Sequence, residues 1–256
     1  MTRQLKPVDL VRVIYSAGKV FDGLQTSLLN TESFLRTDNL ETVASKIDLA
    51  ILQDMRDLSL KTIALAEEEI DVNSLVSLNK AISRSGSLNP GVLRRDDENI
   101  GVSTQYGRHE PPAVNLQDLQ VLLDKGLEIK DSQEAAMTVF IDMAKAQPFG
   151  DGNKRTALFL ANAVLLQRET EQLLTIPHDE KDLSLSNEFN RSLAKAYIFD
   201  DEVEVKNLLR DHGFISLETE SSIVAKNRRN HPELFEAVGK QNLDKKVLVE
   251  NLLEFH

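Results

Sequence analysis

Between Ala146 and Thr156 the chain reads Ala-Gln-Pro-Phe-Gly-Asp-Gly-Asn-Lys-Arg-Thr, and these are residue types that could do chemistry at this spacing. Gly150 and Gly152 flank the carboxylate of Asp151, and the cations Lys154 and Arg155 follow where a helix should begin. The first N–H groups of a helix have no partner within it, and its dipole is positive at that end, so such a turn attracts anions. Lys154 and Arg155 add full charges, and Asp151 could hold a hard cation such as Mg²⁺ beside the anion. The combination suits the phosphates of a nucleotide. Glycine and aspartate are also ordinary in interhelical turns, where two following cations would only be solvated. From these residues alone both readings stand.

The elements that must position the stretch are helical. Before it, Asp131-Ser132-Gln133-Glu134 resembles a capping box, and Ala136, Val139, Phe140 and Met143 then form one apolar face up to Ala146. Pro148 stops that helix. After it, Thr156 to Leu166 is apolar nearly all round, so this helix is expected to be buried and to hold its N-terminus on a rigid mount. Upstream, Val8 to Asn30 opens apolar but is interrupted by Gly18 and Gly23. Leu40 to Glu69 and Asp71 to Arg84 carry helical spacing, the second with Val72, Leu75, Val76, Asn79 and Ile82 on one side. Glu67, Glu68 and Glu69 read as a solvated face. Ser85 to Gly91 breaks the pattern, and Val92 to Asn115 has no helical period. There Ile100, Val102 and Thr104 alternate ahead of Gly107, which predicts a short hairpin in a loop long enough to be functional. Further helices are expected over Leu116–Leu127, Leu183–Tyr197 and Glu202–Asp211, and two more after Asn230 and Leu243.

Composition narrows the class. The 256 residues are 41% apolar and 28% charged, which fits a globular chain, and aromatics are only 5%, so Leu, Ile, Val and Ala must build the core. There is no cysteine, which removes disulfides, thiolate metal sites and cysteine nucleophiles. The N-terminus lacks the apolar core of a signal peptide, and the most apolar run is about half a membrane span, so a cytoplasmic protein with no membrane partner is expected. A net charge of −11 argues against broad nucleic-acid binding. The basic Lys226-Asn227-Arg228-Arg229 cluster is expected to be a solvated linker.

Read with its neighbours, the organising stretch resembles the Fic/Doc (Fido) family, whose signature is His-x-Phe-x-(Asp/Glu)-Gly-Asn-(Gly/Lys)-Arg at the start of a buried helix. Here it is Gln147-Pro148-Phe149-Gly150-Asp151-Gly152-Asn153-Lys154-Arg155. Pro90-Gly91-Val92-Leu93-Arg94 is similar to the family's Pro-Gly-x-x-Arg before the flap, and Gly107 to Pro112 to its Gly-x-x-His-x-Pro-Pro after it. The resemblance implies an all-α Fido helical fold with a short β-hairpin flap. It divides the chain into an N-terminal helical region (1–70), a Fido core (71–213) and a C-terminal helical appendage (214–256). It also implies transfer of AMP or phosphate from Mg-ATP to a hydroxyl of a target protein. By the same resemblance Asp151 would hold Mg²⁺, and Gly150, Gly152, Asn153, Lys154 and Arg155 would bind the ATP phosphates. Phe149 would anchor the loop. The flap, roughly Asn99 to His109 and including Val102, Thr104 and Gly107, would dock the target by strand pairing.

The sequence departs from the signature at its first position. The family's general-base His is Gln147 here, and a neutral amide can orient a hydroxyl but cannot take its proton. Losing a general base typically costs about 10²–10⁴ in rate, roughly 3–5.5 kcal/mol. His109 could in principle substitute, although a His there also fits ordinary members. A second Arg, usual in AMP-transferring members three residues after the first, is Leu158 here; Doc-like members lack it too. A loose alignment places the family's inhibitory segment at Thr26 to Thr31, with Asn30 where the acid would be. Two readings follow: a transferase with impaired or altered activity, or a non-catalytic regulator that binds nucleotide or a protein partner. A regulatory partner and a homo-oligomer are left open. His178, His212, His231 and His256 lack metal-ligand spacing and read as surface or capping residues.

Overall fold

A computed structural model describes residues 5–86, 88–98 and 100–217. A compact unit runs Met1–Ser216 and a second unit is Leu217–His256. The basic cluster at 226–229 and the helices expected after Asn230 and Leu243 lie outside the described residues.

In chain order the helices are α1 (Val11–Ala17), α2 (Leu28–Thr37), α3 (Lys46–Leu65), α4 (Val72–Lys80), α5 (Leu116–Leu127), α6 (Ser132–Ala146), α7 (Asn153–Gln167), α8 (Ser184–Phe199) and α9 (Val203–His212). Among the described residues two antiparallel strand pairs join them: β1 (Val102–Thr104) with β2 (Gly107–His109), and β3 (Gln172–Leu174) with β4 (Phe214–Ser216). The fold is mostly helical, as the resemblance implies. Among the described residues no helix is long and apolar enough to cross a membrane.

The centre is the pair α6 and α7, with α3 and α4 packed on α7, and α5, α8 and α9 on α6. Nearly every residue of α7 is buried, including the polar Asn162. Its amide is satisfied there: Nδ2 donates to the Leu158 and Leu174 carbonyls, and Oδ1 accepts the Leu174 N–H. One polar residue in an apolar helix thereby pins β3 in place. Burying an amide without partners would cost several kcal/mol, on the order of 2–7. Asp131 caps α6 as expected, its Oδ1 accepting the Glu134 N–H at 2.8 Å.

Several boundaries differ from the periodicity for local reasons. Val8 to Asn30 is a 3-10 turn (Pro7–Leu10), α1, a π-helical turn (Gly18–Asp22), then a break at Gly23 with φ +68. The Leu40 pattern begins its helix only at Lys46, because Ser45 accepts the Asp48 N–H and caps it. The Asp71 helix stops at Lys80 rather than Arg84 because the carboxylate of Asp54 accepts the N–H groups of Ser83, Arg84 and Ser85. Those donors would otherwise belong to the helical ladder. The pairing of β3 with β4 has no counterpart in the sequence reading, since the two strands lie far apart in sequence and no turn signal joins them.

Candidate functional site

The Phe149 ring is fully buried and fixes the turn between α6 and α7. Around it, Asn153 works as an internal brace. Its Oδ1 accepts the Phe149 N–H at 2.9 Å, while its Nδ2 donates to the Phe149 carbonyl at 2.8 Å and to Gln147 Oε1 at 3.1 Å. The Asn153 side chain is therefore used inside the loop, and what it offers outward is its backbone N–H. Gly152 has φ +74, and a Cβ there would meet Ile82 Cδ1 at 2.6 Å, so glycine is required twice over. The first bond of the α7 ladder is Thr156 N–H to the Gly152 carbonyl, which leaves the N–H groups of Asn153, Lys154 and Arg155 ahead of it. These three residues line a cleft of about 340 Å³ together with Gln147, Gly150, Asp151 and Gly152, with Val102 and Ser103 of the hairpin also on its wall.

Gln147 ends α6 with φ +46. Besides accepting from Asn153, its amide donates Nε2–H to the Ala144 carbonyl at 2.5 Å. Both ends of the amide are thus engaged by the turn itself, and the side chain is buried. Arg94, the last residue of the Pro-Gly-x-x-Arg motif, clamps the same place from outside. Its Nε donates to the Gln147 carbonyl at 2.6 Å, and Nη2 to the carbonyls of Pro111 and Pro112 at 2.6 and 2.7 Å. Burial lowers its pKa, yet Arg stays charged. One guanidinium so joins the loop to the residues that follow the hairpin.

The cations are held differently. Lys154 lies over the Phe21 ring, 4.7 Å from its centroid, and burial lowers its pKa. Arg155 is buried; Nη1 donates to Ser85 Oγ at 2.7 Å, and Nε lies 3.4 Å from the Asp22 carboxylate. Asp151 is exposed, and its Oδ1 accepts the Gly152 N–H at 2.5 Å. Asn79 of α4 supports it from behind, with Nδ2 donating to the Asp151 carbonyl at 3.0 Å and Oδ1 accepting the Gly91 N–H at 2.8 Å.

The hairpin forms with Val102 opposite His109 and Thr104 opposite Gly107. Val102 and Ser103 reach the cleft, and Thr104 lines a second cavity of about 410 Å³ between the hairpin and α8, shared with Lys154, Asn187, Asn190 and Tyr197. The Tyr197 hydroxyl is buried there without a hydrogen-bond partner. Gln105 and Tyr106 make the turn, and Gly107, with φ +126, opens β2. His109 points inward: it is buried, its Nε2 pairs with the Lys145 carbonyl at 2.7 Å, and its ring stacks on Tyr197. That placement leaves it no role as a substitute base at the cleft.

Asp22 is the residue that periodicity missed. It ends the π-helical turn, lines the cleft, and carries an Oδ2 that is buried without a partner. Burial pushes its pKa up to about 6, against the opposing pull of Arg155. Of the segment aligned at Thr26 to Thr31, no residue lines the cleft, and Asp22 is the acid found there. Asn30 is exposed on α2, whereas the Thr26 hydroxyl and N–H are given to Asp48. The available signal was Asp22-Gly23 closing an apolar run.

Residues 69–165 match the model of the Fic/DOC family. No curated protein matches in sequence. Solved structures share the fold at low identity. A Fic domain containing signaling protein from Bacteroides thetaiotaomicron has 19% identity and a TM-score of 0.54, over 81% of this chain and 88% of that one. For Fic-1 from C. elegans the values are 17%, 0.58, 82% and 64%. For a Fic family protein from Desulfovibrio desulfuricans G20 they are 16%, 0.59, 97% and 75%.

Proposed function

We propose that this chain, whose residues 69–165 match the Fic/DOC family model, binds Mg-ATP in the cleft beneath the hairpin and is built to move AMP or phosphate to a hydroxyl of a docked target protein, with the proton-accepting step impaired. The observation that carries the reading is the contrast within one turn. Gly150 to Arg155 line the cleft as an anion cradle would require, while the amide of Gln147 is tied off at both ends by Ala144 and Asn153. The backbone N–H groups of Asn153 to Arg155, with Lys154 and Arg155, meet the phosphates. The neighbouring cavity between the hairpin and α8 takes the nucleoside.

The donor set fits Mg²⁺ that arrives with phosphates. Asp151 offers one exposed carboxylate, and among the described residues no group of three or more His, Cys, Asp or Glu could cage a metal without them. The ion would neutralise phosphate charge beside Asp151. In the transfer, the target hydroxyl oxygen attacks phosphorus, the phosphoanhydride bond breaks to release pyrophosphate (AMP transfer) or ADP (phosphate transfer), and the hydroxyl proton passes to solvent. Neither Gln147 nor the inward-facing His109 takes that proton. The Gln147 geometry also favours a second reading, a nucleotide-binding regulator without transfer activity, whose partner docks at the hairpin.

Incubation with α- or γ-labelled ATP and a lysate separates the two. Gln147→His is expected to raise labelling about 10²–10⁴-fold over the natural chain, since His tolerates the positive φ of this position. Label from the α position marks AMP transfer, and from γ alone phosphate transfer. If Gln147→His binds Mg-ATP yet labels nothing above an Asn153→Ala control, the transferase reading fails and the regulator stands. If Mg-ATP at about a hundred times a typical dissociation constant adds none of the expected ~2.7 kcal/mol of stability, nucleotide binding fails too.

A further inference from the structure

Arg155 owes its aim to two side chains outside the signature turn. Its Nη1 donates to Ser85 Oγ at 2.7 Å and its Nη2 to the Ser85 carbonyl at 3.5 Å, and the hydroxyl donates in turn to Asp54 Oδ2 at 2.8 Å. Asp54 is fully buried on α3, where its carboxylate also collects the backbone N–H groups of Ser83, Arg84 and Ser85 and the guanidinium of Arg84. The opposite edge of Arg155, at Nε, faces Asp22 on the cleft wall at 3.4 Å. The guanidinium therefore has an anchored edge and a cleft edge.

Resting on the anion-cradle reading above, we propose that Ser85 and Asp54 are positioning residues. They form a relay that fixes Nη1 of Arg155, so that its Nε edge meets a phosphate as the anion displaces Asp22. The chemistry favours a relay over direct pairing. A carboxylate bonded straight to Nη1 would neutralise the cation that the phosphate needs. Through a hydroxyl, the same carboxylate orients the guanidinium at one remove, and a hydroxyl that donates to a carboxylate is a better acceptor. Arg surrenders considerable rotamer freedom when it binds, about 2 kcal/mol for a free side chain. Holding one edge in advance removes much of that loss from the binding step.

The test is titration calorimetry of the full chain with sodium pyrophosphate, on Ser85→Ala and Ser85→Thr, each with and without Arg155→Met. Arg155→Lys replaces Arg155→Met if the latter does not fold. Ser85→Ala is expected to weaken binding about tenfold, with the unliganded melting temperature held within about 2 °C. Ser85→Thr keeps the hydroxyl and restores affinity. Without Arg155, Ser85→Ala has no further effect. An equal loss in both backgrounds, or unchanged affinity in Ser85→Ala while Arg155→Met loses it, overturns the relay alone. Absence of pyrophosphate binding by the natural chain overturns the cradle and the relay together.

Discussion

The turn from Gln147 to Asn153 and the hairpin from Val102 to His109 face each other across one cleft, and they are held in opposite ways. In the turn, polar groups bond one another, Phe149 is fully buried, and Arg94 clamps the backbone at Gln147 and Pro148. The hairpin has strands of three residues. Thr104 Oγ1 bonds the Gly107 carbonyl within it, Tyr106 meets the half-exposed Phe199 ring, and His109 roots its far end. Preorganised dipoles serve fixed charges such as phosphates, whereas an adaptable strand edge suits a peptide that supplies its own hydrogen bonds. On the proposed function, preorganisation would serve the nucleotide and adaptability the target.

The sharpest way to break this contrast is to compare matched truncations. Phe149→Ala should lose about 3–5 kcal/mol of unfolding free energy, measured by denaturant titration. Equal losses from Phe149→Ala and Tyr106→Ala would end the distinction between the two walls. Next, Asn153→Ala leaves the Phe149 N–H buried and unpaired, and should cost about 2–3 kcal/mol along with the thermal shift by Mg-ATP. A normal shift in that variant would mean the brace is dispensable.

Asp22 tests the cleft edge of the turn. Its folded pKa of about 6 lies above the ordinary 3.8, so the native state holds this proton more tightly than the unfolded chain. Stability from this group is complete below about pH 4 and is lost as pH rises through about 6. Asp22→Asn should therefore gain on the natural chain by on the order of 2–3 kcal/mol between pH 4 and pH 7, and should bind pyrophosphate more tightly at pH 7. Parallel stability curves for the two proteins would remove Asp22 from the cleft's electrostatics. The smallest effect belongs to the hairpin tip. Tyr106→Ala should cost under about 1 kcal/mol and leave Mg-ATP affinity unchanged, and a tenfold affinity loss would show that the flap helps build the nucleotide site.

Much of the site was legible because its signals are local. Glycine at 152 announces a backbone that no other residue tolerates, Pro148 ends α6, and Asp131 starts it within a few residues of sequence. The hairpin was legible from Val102, Thr104 and Gly107 for the same reason. Asn79 was visible as a polar residue on an apolar stripe, but its tie to Asp151 was not. Asp22, Ser85 and Asp54 gave no sign of acting on Arg155. They are separated from it by 133, 70 and 101 positions, and spacing patterns carry no information at that range.

By itself, then, the sequence determined the helical class, the caps, the glycine-bounded turn between α6 and α7 and the residue at Gln147. All of these follow from chemistry within about a turn of helix. Only the tertiary structure decided what each polar group is bonded to. It ties Gln147 into its own loop, turns His109 away from the cleft, and brings Asp22 and Ser85 to opposite edges of one guanidinium. Hydrogen bonds inside a packed core are chosen by whichever partner folding brings within about 3 Å, and that choice is made between helices rather than along them.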